Sequence, residues 1–111
     1  MAEDGLAGWY DRLMAVNAEA FAAGNWEAAY HALMAALHCA ADLRDAGRLA
    51  AVSDVARGQQ AAIDAKAPGH ALSSRSAGVR GHKSLLETAA FMADTRVGML
   101  RPPRPAGRAA R

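Results

Sequence analysis

The sequence holds one cysteine, six aromatic side chains and four prolines in 111 residues. A single cysteine, Cys39, excludes an intramolecular disulfide, and its setting among alanines fits a small apolar side chain better than a nucleophile. β-Branched residues are sparse as well, with five valines, one isoleucine and two threonines, so the chain cannot furnish a sheet. No run approaches the roughly 18 apolar residues of a membrane span. The opening residues, Met1 to Asp4, carry two acids and no apolar stretch, so no secretory signal is expected. These absences lead to the expectation of an all-α, cytoplasmic protein without membrane association.

What the chain has in quantity is alanine, 30 residues of it. With few large anchors, a core must come from helices that approach closely over small side chains. One domain of this length buries roughly 65 % of the surface its unfolded chain exposes, enough for a true core. Charge is unevenly divided. Residues 1–69 hold five Lys or Arg against nine acids, whereas residues 70–111 hold eight against two. An acidic first part thus precedes a basic second part.

The stretch from Ala18 to Leu37 organises the rest. Gly24 can close a helix in the left-handed conformation without steric cost, and Asn25 after it can cap the next helix by accepting from an orphan amide. The order Gly24, Trp26, Ala29, Leu33, Ala36 and Leu37, preceded by Leu13, Val16 and Asn17, resembles a single tetratricopeptide repeat over residues 10–41. Asn17 stands where that repeat has a small residue and Ala20 where it has a tyrosine. The microtubule-interacting-and-transport domain has a similar Gly-x-aromatic-x-x-Ala turn. The resemblance implies a helical hairpin that presents Tyr10, Met14 and Phe21 to a ligand. The lysine and asparagine with which some members of the family grip a peptide's terminal carboxylate are absent, Met14 and Ala18 standing in their places, so no carboxylate clamp is expected.

Periodicity predicts helices at about 3–23, 25–45, 48–66 and 84–100, a loop over 67–83 and a basic Pro/Arg tail over 101–111. In the first helix Leu6, Trp9, Leu13, Val16 and Ala20 form a buried seam. Tyr10, Met14 and Phe21 make a second stripe beside it, a width that suggests two neighbours or a partner chain. The second helix is expected to bury Trp26, Ala29, Leu33, Ala36, Leu37 and Ala40, with Gly47 as its left-handed stop. The third turns Leu49, Val52, Val55 or Ala56, Gln59 and Ile63 inward, and Ser53, Asp54, Arg57, Gln60 and Asp64 outward. The Gly- and Ser-rich stretch 68–83 has room for one helical turn around His70 to Arg75. Ser84 and Glu87 then spell a capping box, and the last helix buries Leu85, Ala89, Met92, Ala93 and Val97 until Pro102 and Pro103 forbid continuation. Four such stripes close a small antiparallel four-helix, tetratricopeptide-like bundle with a disordered tail.

Signals for chemistry are thin. His31 and His38 lie about 10.5 Å apart along one helix, too far to share a metal ion, and no further ligands accompany them. The run Gly78 to Ser84 resembles a phosphate-binding loop only superficially, because its Gly-to-Lys spacing is short and no strand precedes it. Arg75 and His82 have a spacing similar to that of the RNA-cleaving higher-eukaryote and prokaryote nucleotide-binding domains, but they fall in a glycine-rich segment instead of on a helix. Paired carboxylates and nucleophile–base arrangements are lacking, so neither enzymatic activity nor a cofactor is expected.

The reading that follows is a non-enzymatic protein–protein interaction module that binds a helix or peptide, or forms a homodimer, through Tyr10, Met14 and Phe21. The alternative is a small nucleic-acid or polyanion binder that uses Arg75, Arg80, Lys83, Arg101, Arg104 and Arg108.

Overall fold

The computed structural model describes residues 5–101. It contains five helices and, among the described residues, no strand: α1 (Leu6–Ala22), α2 (Trp26–Asp42), α3 (Ala46–Lys66), α4 (Ser74–Val79) and α5 (Leu85–Leu100). The fold is all-α, as the scarcity of strand formers requires.

Two of the connections are built the same way. After α1, Gly24 sits at φ +83°, its amide donating to the Phe21 carbonyl while the Asn25 amide donates to that of Ala20. After α2, Arg44 sits at φ +54°, its amide donating to Ala41 and that of Asp45 to Ala40. Both are Schellman closures, which satisfy carbonyls that the helix end leaves orphaned. The expected stop at Gly47 is therefore corrected: the left-handed residue is Arg44, and Gly47 lies inside α3. Asn25 holds the N-cap position of α2, but its side chain makes no capping hydrogen bond. Asp45 caps α3 instead, accepting from the Arg48 amide at 3.0 Å and from its guanidinium at 2.5 Å.

Helix α1 packs along α2, α3 packs along α5, and α2 joins the two pairs by touching α3 and α5. Leu33, Leu37, Leu49, Val52, Ile63 and Leu86 form the buried centre. The alanines at 29, 32, 36 and 40 are buried too and give α2 a smooth strip over which its neighbours approach closely.

Helix α1 turns to the core a different face from the expected seam. Tyr10 and Asn17 are its buried residues, while Trp9 is 54 % exposed and Leu6 and Val16 are also exposed. Leu13 and Ala20 are half-buried. The cause is Asn17, whose polar side chain interrupts the inward stripe in sequence yet is fully satisfied inside. Ser53 and Gln60, expected outward, are buried, because α3 has neighbours on more than one side. Leu85 is exposed and Leu86 takes its place inside.

The stretch 67–83 is more ordered than a loop. Ser73 caps the short helix α4, Leu72, Ser73 and Ala77 are buried, and Gly81 closes the helix at φ +83°. The helical turn thus falls later than His70 to Arg75. Asp64 of α3 fastens it, accepting from the Ser74 amide at 2.8 Å and the Ser74 hydroxyl at 2.6 Å. The capping box of α5 is present, Ser84 and Glu87 each accepting from the other's amide. The tail beyond Arg101, with Arg104 and Arg108, lies outside the described residues, as do the first four residues.

Candidate functional site

The fold leaves an open groove of about 430 Å³ between α1 and α3. Met14, Ala18, Phe21 and Ala22 form one wall, Val55 and Gly58 the other, and Asn17 and Gln59 the floor. The floor is a closed pair of amides. Asn17 Nδ2 donates to Gln59 Oε1 at 3.1 Å and to the Ala29 carbonyl at 2.8 Å, while Gln59 Nε2 donates back to Asn17 Oδ1 at 2.7 Å. With these bonds made inside the protein, the groove presents mainly apolar surface, and its lining contains no ionisable side chain.

The three residues singled out on α1 divide between this groove and the core. Met14 and Phe21 are half-buried on its wall, and Phe21 stacks on Trp26 at 5.9 Å between ring centroids. Tyr10 is buried beyond the groove's end, its hydroxyl donating to the Arg48 carbonyl at 3.2 Å. Burial pushes the Tyr10 phenol above its ordinary pKa, an effect the neighbouring Arg48 cation partly offsets. Tyr10 therefore belongs to the core and not to the groove lining, whereas Ala18, Ala22, Val55 and Gly58 line the groove without having been singled out as binding residues. Ala18, four residues after Met14, carried a signal in the resemblance, since both stand at positions where some tetratricopeptide repeats grip a peptide.

The basic residues fall into separate places. Arg75 and Arg80 line one surface depression of about 230 Å³ with Pro68, Gly69, Ser76 and Val79. The Arg80 guanidinium is steadied there by the Ala71 carbonyl, to which it donates at 3.1 Å. Lys83 faces another depression of about 390 Å³, between α3 and α5, in the company of Asp64, Glu87 and Asp94. Arg101 lies at the far end of α5, about 24 Å of helix away from Ser84.

Of the remaining titratable groups, Asp94 is paired within the fold. Asp94 accepts a hydrogen bond from Arg57, and this bond, with one from Ser53, holds its carboxyl below the usual range. His31 and His38 are exposed on α2, and Cys39 is half-buried. Among the described residues, no group of three or more His, Cys, Asp or Glu side chains is placed to hold a metal ion, and no helix is long and apolar enough to cross a membrane.

Comparison with protein-family models, curated proteins and solved structures gives no match for this chain.

Proposed function

We propose that this protein is a non-enzymatic interaction module whose α1/α3 groove receives an apolar helix or peptide segment of a partner protein. One observation carries the reading: the groove is a concave, largely apolar surface of about 430 Å³ with no ionisable side chain in its lining. Met14 supplies an adaptable contact and Phe21 a rigid one. Without an acid, base or nucleophile, the groove has nothing with which to move a proton or attack a bond, so recognition is the work left to it. Its preferred occupant is an amphipathic helix that lays its apolar face along the groove.

The connectivity supports a tetratricopeptide-like reading of this surface. Helices α1, α2 and α3 follow one another through two turns of equal geometry, at Gly24 and Arg44, so α1 and α3 come to flank one groove. On this reading the chain is an antiparallel helical bundle of tetratricopeptide character with the groove as its ligand face.

A second reading, binding of nucleic acid or another polyanion, is favoured by the depression that Arg75 and Arg80 share. No acidic residue intervenes between Asp64 and Glu87 in the sequence. The first reading accounts for the larger surface, about 430 against 230 Å³, and we adopt it.

The test is a selection of helical peptides from a display library against the intact protein, followed by affinity measurement with Ala18→Glu. Ala18 is exposed on the groove wall, so a glutamate there leaves the fold intact and places a charge where an apolar side chain should dock. Selected peptides are expected to lose at least roughly tenfold in affinity, the scale of one well-placed interface contact. Peptides that bind the variant as well as the parent would overturn the reading.

A further inference from the structure

The most regular apolar seam of α1 is the one the fold leaves outside. Leu6, Trp9, Leu13, Val16 and Ala20 recur at alternating spacings of three and four, the repeat with which two helices pack along each other. Yet Trp9 is 54 % exposed, Val16 48 % and Leu6 40 %, while Leu13 and Ala20 are only half-buried. The seam also lies away from the α1/α3 groove, Val16 standing roughly 160° around the helix from Ala18 of the groove wall. Its two flanks differ. Tyr10 and Asn17 on one side are buried in the core, whereas Arg12 and Glu19 on the other are exposed and opposite in charge.

We infer that this seam is a self-association surface, covered by α1 of a second copy of this chain running antiparallel. Charge selects the register. With a two-fold axis midway between Met14 and Ala15, Leu13 of one copy lies against Val16 of the other and Trp9 against Ala20, so the bulky indole meets the smallest side chain of the seam. The axis makes each of these contacts twice, which is the condition for an isologous dimer. The same register brings Arg12 of each copy beside Glu19 of the other. The Arg12 guanidinium lies over the Trp9 ring, 4.4 Å from its centre, so it leans back toward the helix N-terminus and stands level with the Glu19 position of the second copy.

Other registers lose this match. Sliding the antiparallel pair by one heptad sets Arg12 beside Arg12 in one direction and Glu19 beside Glu19 in the other. A parallel pair sets the two Trp9 rings against each other and leaves Arg12 and Glu19 facing neutral positions. A two-helix contact of this length removes on the order of 1,000 Å² from water in both copies together, the low end for specific interfaces, so the dimer is weak and concentration-dependent. The seam and the α1/α3 groove are separate surfaces, and either can hold without the other.

The experiment is sedimentation equilibrium of the intact chain from about 10 µM to about 1 mM, a range that spans weak association. The parent mass rises toward twice the monomer. Val16→Glu, at an exposed position whose helicity is checked by circular dichroism, raises the dissociation constant at least roughly tenfold, the scale of one well-placed interface contact. Arg12→Glu and Glu19→Arg each weaken self-association roughly fivefold or more, because each turns two ion pairs into two like-charge contacts. An equal mixture of those two variants recovers the parent's affinity, since every glutamate then faces an arginine. A parent that stays monomeric throughout, or a dimer that Val16→Glu leaves intact, overturns the inference. A mixture no tighter than either variant alone overturns the antiparallel register.

Discussion

At the scale of single residues, the pairing of Asn17 with Gln59 is the contact on which the groove depends. A buried amide left without partners costs the desolvation of its polar atoms, whereas removing both partners together removes that cost. Asn17→Ala takes away the partner of both polar atoms of Gln59 and a donor to Ala29, and is expected to lower stability by roughly 2–3 kcal/mol in chemical denaturation. Asn17→Leu with Gln59→Leu should recover most of that loss. Equal destabilisation by the single and double changes would show that the amide pairing is not what holds α1 to α3. This contact was only half legible in the sequence. Asn17 stood out as a departure from the repeat pattern and Gln59 fell on the inward face of its helix, but a pairing across 42 residues leaves no mark on local periodicity.

Among the elements, the parts with a short-range cause were readable and those that depend on a distant neighbour were not. Gly24 as a turn and Ser84 with Glu87 as a capping box each follow from residues within a few positions. The stop after α2 did not, since a glycine three residues further on offered a simpler candidate than Arg44. A non-glycine residue at positive φ carries a steric cost, so Arg44→Gly should stabilise the chain by about 0.5–1 kcal/mol in thermal unfolding. A loss of stability would mean that the Arg44 side chain contributes more than its backbone strain costs.

Helix α4 was hidden for a related reason: its anchor, Asp64, lies on another helix. Burial raises the Asp64 pKa, but hydrogen bonds from the Ser74 hydroxyl, the Ser74 amide and Gln60 outweigh it, so its carboxyl lies below the usual range. A carboxyl with a depressed folded-state pKa stabilises fully above the unfolded value of about 4 and loses that contribution as pH falls through the folded value. Amide exchange over Ser74–Val79 should therefore accelerate, relative to the rest of the chain, only below about pH 4. In Asp64→Asn that extra acid sensitivity should disappear. Acceleration that begins near neutrality would point to a different anchor.

Over the whole molecule, two helix pairs meet along α2 and α3, and the meeting leaves both a groove and an exposed apolar seam on α1. The all-α class was plain from composition, because strand formers are too few. The choice of inward face on α1 was not, because two apolar stripes competed and the one that won contains an asparagine. The same competition explains why Tyr10, grouped with Met14 and Phe21 by spacing, ends in the core while its companions line the groove. The groove of the proposed function is therefore a surface that exists only where α3 flanks α1.

The central claim is that partners enter between those two helices. Its most direct test is methyl and amide NMR of the intact chain, titrated with a helical peptide selected against it. The account predicts chemical-shift changes concentrated at Met14, Ala18, Val55 and Gly58, with the amides of Lys66 to Lys83 unmoved. Changes centred on Arg75 and Arg80, or on Trp9 and Val16, would contradict it.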